Sequence, residues 1–233
     1  MGRKAIILAA GRGERMRPLS DATPKALLRA GGRSLIEWQI ARLVDAGFRD
    51  LVVNVCHLGE QIEAALRCGQ QLGARIEYSR EQVALETAGG IAQALTRMGD
   101  APFIAVNADV YCEYDYKRLH AVLAALGDSQ TQSVAHLVLV ANPPHHAQGD
   151  FALAPDGAVR ESGGGRLTFS GIGAYRPQLF ADIEPGQRRA LGPMLHRLAC
   201  DGALRGEYYA GPWMDVGTPQ RLQNLQALLG SRP

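Results

Sequence analysis

The chain has 233 residues, 46% of them hydrophobic, enough for the buried core of one large α/β domain. Lysine and arginine total 25 against 23 aspartates and glutamates, a formal charge of +2, so no net field marks a nucleic-acid or membrane-surface binder. The four cysteines, Cys56, Cys68, Cys112 and Cys200, form neither a CxxC pair nor a dense framework, which excludes a disulfide scaffold and points to a reducing, cytoplasmic setting.

The first apolar run stops at Gly-Arg-Gly too early for a signal h-region, and no stretch approaches a membrane span. A glycine follows Met1, but Ile6 stands where a myristoylation motif needs Ser or Thr. Residues 4–10 predict a strand buried on both faces, followed by a loop holding Gly11 and Gly13. Ser34 and Glu37 form a capping box ahead of Leu35, Ile36, Ile40, Leu43 and Val44, and Gly47 stands where a C-terminal cap belongs. Residues 50–55 then read as a strand, 60–73 as a helix, 75–79 as a strand, 89–98 as a helix and 102–110 as a buried strand with a polar end. Such alternation predicts right-handed βαβ crossovers and a largely parallel sheet, with ligands at the carboxyl ends of the strands. After Asp128 the pattern changes to short strands and irregular loops, read as an insertion or lid. A helix near 191–200, a strand near 206–209 and a last helix with Thr218 as N-cap and Pro219 at its first position close the chain.

The glycine loop excludes two common nucleotide sites. A dinucleotide fingerprint needs a third small residue where Met16 stands, and an acidic residue where the second strand instead ends in Val55, Cys56 and His57. A Walker loop needs Gly-Lys-Ser/Thr, which the chain lacks. What remains is a longer loop with Arg12, Arg15, Arg17 and Lys25, its path restricted by Pro18 and Pro24. Glycines let backbone N–H groups approach phosphate oxygens, and Arg15 and Lys25 can meet a triphosphate's charge. Taken alone, the same residues also suit an ordinary turn with solvated arginines.

The full string "LAAGRGERMRP", followed by "TPK", resembles the signature of the sugar-nucleotide pyrophosphorylases, nucleotidyltransferases that join a sugar 1-phosphate to a nucleoside triphosphate. The resemblance continues in order through "SLIEWQIARLVDAGFRDLVVNV", "LETAGGIAQAL", "NADV", "NPPHHAQGDFAL", "LTFSGIGAY" and "WMDVGTPQRL". It implies a Rossmann-like three-layer α/β sandwich with a mixed, mainly parallel sheet and a small sugar-binding insertion. One domain is expected over 1–233, with a nucleotide-binding half at 1–128 and a sugar-phosphate half with closing helices at 129–233. The pattern is most similar to compact bacterial members of cell-wall sugar recycling, which implies UTP and N-acetylmuramate 1-phosphate as substrates and pyrophosphate as a product. The rival readings are guanylyl transfer to mannose 1-phosphate and a non-catalytic sugar-nucleotide sensor. These 233 residues leave no room for an added acetyltransferase β-helix, so a monofunctional transferase is expected, of a size that can stand as a monomer.

The resemblance also assigns roles. Asp109 and Asp215 jointly hold Mg²⁺, and Arg15 and Lys25 complete the catalytic set. The nucleotide falls to Ala10, Gly11, Gly13, Arg15, Lys25, Glu86, Gly89 and Gly90, and the sugar phosphate to Asn107, Asn142, Asp150, Glu161, Ser170 and Gly171. Asn107, two residues before Asp109, is expected on the same strand face. So short a list suits the chemistry, because the sugar phosphate is already anionic and needs charge neutralisation and alignment rather than a general base. Ala88 replaces a commoner glycine. Larger relatives carry Glu-Lys-Pro where this chain has "VRESGGGRLTFSG", which leaves Glu161 without its usual neighbour and makes Arg166 a candidate phosphate ligand. His145 and His146 match the compact members and suggest a sugar loop, not a metal site. Cys112 is read as packing, since direct displacement needs no enzyme nucleophile.

Overall fold

The computed structural model describes residues 3–230; Gly2 and the outermost ends of the expected 1–233 domain lie outside them. Strand β1 (Lys4–Leu8) runs into the glycine loop, which folds through the short helix α1 (Leu19–Ala22) and the hairpin of β2 (Arg29–Ala30) and β3 (Arg33–Ser34). Helix α2 (Leu35–Asp45) starts at the predicted capping box and ends in a Schellman motif, with Phe48 N–H on the Leu43 carbonyl at 2.8 Å and Gly47 N–H on that of Val44 at 2.9 Å. Then come β4 (Asp50–Val55), α3 (Gly59–Leu66), β5 (Arg75–Arg80), α4 (Glu86–Met98), β6 (Phe103–Asn107), β7 (Val110–Cys112) and α5 (Leu119–Gly127). The remainder holds β8 (Ala135–Val140), β9 (Phe151–Leu153), β10 (Val159–Arg160), β11 (Arg166–Tyr175), α6 (Gly192–Cys200), β12 (Leu204–Tyr209), β13 (Trp213–Asp215) and α7 (Pro219–Gly230).

One nine-stranded sheet runs β10-β9-β11-β6-β1-β4-β5, with β8 beside β11 and β12 beside β8. The pairs β6–β1, β1–β4 and β4–β5 are parallel, while β11 runs antiparallel to β6 and to β8. Alternate side chains of β1 serve opposite faces: Ala5 and Ile7 join a core with Ile36, Ile40 and Leu123, and Ile6 joins another with Ile91 and Leu195. Helices therefore cover both faces, the three-layer α/β arrangement expected of the chain.

Four expectations change. The helix expected at 60–73 ends at Leu66, because Arg67 and Gly69 take positive φ and break the helical path. Helix α4 begins at Glu86, three residues before the expected start at 89, so Gly89 and Gly90 lie within its first turns and not at its beginning. The strand at 102–110 divides at a turn over 108–109, so Asn107 ends β6 while Asp109 sits in the turn and shares no strand face with it. Past Asp128, every strand but β13 joins the main sheet, β9 and β10 as its continuation beyond β11, and only the loops between them are irregular.

Candidate active site

Four connected chambers open at the carboxyl ends of β1 and β6. The first, about 470 Å³, is walled by Gly11, Gly13, Arg15, Lys25, Asp109 and Gly217. Gly13 takes a left-handed conformation that turns the loop back over Lys25. Lys25 forms an ion pair with Asp109, and its side chain is only 12% exposed. The Arg15 guanidinium carries no hydrogen bond or ion pair to any of the described residues.

The second chamber, about 220 Å³, is lined by Ala10, Gly11, Asn54, Glu81, Glu86 and Thr87 and shares Asp109 with the first. Its floor is polar although buried. Asn54 accepts the Ala9 N–H at 2.7 Å and donates to Glu81 at 2.6 Å, and Glu81 also accepts the Leu85 N–H at 2.9 Å. Burial pushes the Glu81 carboxyl above the usual range, against the opposing pull of those two hydrogen bonds.

The third chamber, about 440 Å³, is bounded by Arg15, Asn107, Asp109, His145, His146, Asp150, Ser170, Gly171, Trp213 and Asp215. The antiparallel pairing of β13 with β7 places Asp215 opposite Val110, and the Val216 N–H bonds the Asp109 carbonyl at 2.9 Å. That ladder brings the two distant aspartates to one cavity. Asp215 pairs with Arg221 at 2.7 Å, and Arg221 also reaches His145 Nε2 at 2.9 Å. Burial and the Arg221 cation hold the His145 imidazole below its usual pKa, in keeping with a neutral ring accepting from the guanidinium. His146 bonds Asp150 at 2.9 Å, while the other Asp150 oxygen accepts the Phe169 N–H at 2.7 Å. Gly171, with φ +82°, bends β11 towards Asn107 at a register shift, and a Cβ there would lie 2.7 Å from the Asn107 amide. Ser170 presents its carbonyl to the Trp213 indole N–H at 2.9 Å. A fourth chamber continues from the second and third behind Asn107, Asp150 and Phe169.

Arg15, Lys25, Asp109, Asp215, Ala10, Gly11, Gly13, Glu86, Asn107, Asp150, Ser170 and Gly171 thus line one continuous site. Five candidates serve it from outside. Gly89 and Gly90 are glycines for space: a Cβ on Gly89 would lie 2.4 Å from the Gln187 carbonyl, and one on Gly90 2.5 Å from Glu81. Asn142 spends its amide on the Ala147 and Arg166 carbonyls, at 3.1 and 3.0 Å, and accepts from Thr168, so it staples the loop that carries the histidines. Glu161 turns away to His196 at 2.5 Å. Arg166 is spent on the Asp150 and Glu161 carbonyls and is no free phosphate ligand. Cys112 is fully buried, and its thiol is pushed up to about 12 by burial, which leaves no thiolate to attack.

Residue reasoning missed Asn54, Glu81, Trp213 and Arg221. A polar residue inside the apolar run "DLVVNV" is the available signal for Asn54; nothing local marks Arg221, six residues past Asp215 in the first turn of α7.

Asp109 and Asp215 suit Mg²⁺. Both offer hard oxygen donors to one cavity, and each carboxylate is already balanced by a cation. No group of three or more Asp, Glu, His or Cys among the described residues is arranged to hold a metal, so substrate phosphates and water would supply the remaining oxygens.

The Nucleotidyl transferase family model matches residues 4–159. The chain is 49% identical over 231 residues to N-acetylmuramate alpha-1-phosphate uridylyltransferase of Neisseria meningitidis, covering 98% of this chain and 99% of that protein. It is 39% identical to the enzyme of the same name from Caulobacter vibrioides, covering 97% and 96%, and 33% identical to Mannose-1-phosphate guanyltransferase of Aspergillus fumigatus, covering 93% of this chain but 61% of that one. In fold it is similar to a Bacillus anthracis chain assigned as a glucose-1-phosphate thymidylyltransferase, with TM-score 0.83 at 20% identity over 99% and 96% of the two chains. HddC of Yersinia pseudotuberculosis, complexed with GMP-PN, gives TM-score 0.75 at 19% identity over 98% and 99%. The chain belongs to the nucleotidyl transferase family.

Proposed function

We propose that this protein transfers uridylate from UTP to N-acetylmuramate 1-phosphate, in sugar recycling for the cell wall, with Mg²⁺ as cofactor and pyrophosphate as leaving group. The observation that carries the reading is one cavity where the glycine loop, Arg15, the Lys25–Asp109 pair and the Arg221–Asp215 pair converge. It is an anion site with paired carboxylates and no activated nucleophile, as direct displacement between phosphates requires. The near full-length similarity to two uridylyltransferases supports the choice of base and sugar.

The second chamber takes the base over Asn54 and Glu81, and the Gly11–Gly13 backbone with Arg15 and Lys25 receives the triphosphate. A sugar-phosphate oxygen attacks the α-phosphorus, a P–O bond forms, and the bond to the β-phosphate breaks as pyrophosphate leaves. Lys25 exchanges its contact with Asp109 for the phosphates, and Arg15 meets the charge from the open side. Mg²⁺ on Asp109 and Asp215, when bound, supplies charge neutralisation and alignment. A smaller substrate-binding role falls to His145 and His146, which form the outer wall.

The test is pyrophosphate release across a panel of triphosphates and sugar 1-phosphates. UTP with N-acetylmuramate 1-phosphate is expected to give the highest kcat/KM, and chelation by EDTA to abolish turnover. Faster reaction of GTP with mannose 1-phosphate would overturn the assignment of substrates, and binding without turnover would favour a sensor.

A further inference from the structure

The first chamber, given above to the triphosphate, contains an acid that the chemistry does not use. Glu14 stands between Gly13 and Arg15 in the chain and lines the same chamber as Arg15, Lys25 and Asp109. It is exposed, and its carboxylate has no hydrogen bond or ion pair to any of the described residues. The other arginines of the loop leave it unbalanced: Arg17 pairs with Asp21 at 3.1 Å, and Arg12 makes no ion pair to any of the described residues.

The chamber is thus walled by two cations and two carboxylates and carries no net charge. Lys25 is already set against Asp109, which leaves Arg15 and Glu14 as the two charges offered to a ligand. A bare triphosphate, with several negative charges, meets Glu14 with one unspent cation to offset it, and a like-charge contact of a few ångströms at a partly exposed site weakens binding by about tenfold. A triphosphate that carries a divalent cation on its oxygens has most of that charge neutralised, and it offers the carboxylate a hard cation in place of an anion. An acid in the first turn of a helix is also favoured by the helix dipole, but Glu14–Met16 is a single short turn, and that role would not tell the two forms of the ligand apart.

We propose that Glu14 is a specificity residue that admits the triphosphate as its divalent-metal complex and rejects the metal-free anion. Arg15 attracts either form, and Glu14 opposes the uncomplexed one. The inference rests on the nucleotidyl-transfer reading and states the ionic form in which the nucleotide is taken.

The experiment is equilibrium binding of UTP to the whole protein by titration calorimetry, without sugar phosphate, in EDTA and again in saturating Mg²⁺. Low ionic strength is used because salt screens an exposed charge. Wild type is expected to bind UTP more tightly with Mg²⁺. Glu14→Gln is expected to tighten metal-free binding by about tenfold, the scale of one like-charge contact, and to leave binding with Mg²⁺ within about threefold of wild type. The preference for the metal complex then falls, and Glu14→Asp, which keeps the charge, is expected to retain it. A Glu14→Gln protein that shifts both affinities equally, or neither, would overturn the role of Glu14 while leaving uridylyl transfer standing. A wild type that binds no triphosphate in either condition would instead remove the nucleotidyl-transfer reading, and this inference with it.

Discussion

The two walls of the site are built differently. On the β1 side, the Gly11–Gly13 turn, Arg15 and Lys25 follow the carboxyl end of an interior parallel strand, and among the described residues the one cross-link from these side chains is the Lys25–Asp109 pair. On the β11 and β13 side, Arg221 already joins His145 to Asp215, and His146 already joins Asp150, before any ligand arrives. The first wall presents unspent charge to a ligand, and the second presents charge whose direction its neighbours fix. Substitutions on the first should strike the reaction itself, and those on the second should act through geometry and affinity.

The largest effect tests that contrast directly. Asp109→Asn or Lys25→Ala should lower kcat by about 10²–10³-fold, the scale of removing one preorganised electrostatic contact, with the fold intact by circular dichroism. Arg221→Met, on the wired wall, should cost about 10–100-fold in kcat/KM and alter the Mg²⁺ concentration needed for half-maximal rate, as loss of a group that orients a ligating carboxylate does. If Arg221→Met instead matched Asp109→Asn with no change in Mg²⁺ dependence, the two walls would not differ.

Beneath the first wall, Gly90→Ala forces a methyl into the Glu81–Asn54 pair and should cost about 1–3 kcal/mol in urea unfolding, together with a higher KM for the triphosphate. A control lies away from both walls. Glu207 is raised by burial, but the adjacent His136, a hydrogen bond from Tyr114 and the Arg118 cation outweigh this and hold its pKa below the ordinary 4.5. An acid lowered on folding adds stability above its unfolded pKa and loses it as pH falls through the folded value. Glu207→Gln should therefore lower Tm at pH 7, by about 1 kcal/mol in stability, and the deficit should shrink as pH falls below 4.5, with turnover unchanged.

The parallel half was readable because its signals are local. Apolar runs, a capping box and a glycine C-cap each specify their element within a few residues, and α2 and β4 follow them. The start of α4 was not readable. Leu85 makes no side-chain cap, and Glu86 begins the helix at φ +61°, held by Arg188 at 2.6 Å and by the adjoining segment. The site divides along the same line. The glycine loop stands out in the sequence and the family resemblance supplies both aspartates, whereas the diversion of Glu161 to His196 and the coupling of Arg221 to His145 depend on contacts across 35 and 76 residues. Gly89 and Gly90 were assigned to the ligand because glycine signals close approach without naming what approaches; here it is the protein's own backbone and a buried acid.

The first turn of α4 also sets a polarity. A helix N-terminus opening on a nucleotide pocket ordinarily attracts phosphate. Here the Ala88 and Gly89 N–H groups donate to the Arg189 carbonyl at 3.0 and 3.1 Å, and Arg189 in turn donates to Leu85 at 2.9 Å. With those donors consumed, this end of the cleft has little to offer an anion, while the turn after β1 keeps the cationic side chains. On the proposed function, a nucleotide entering the cleft is thereby read head from tail: its uncharged end is directed to α4 and its charged end to the glycine turn, before the base makes a specific contact.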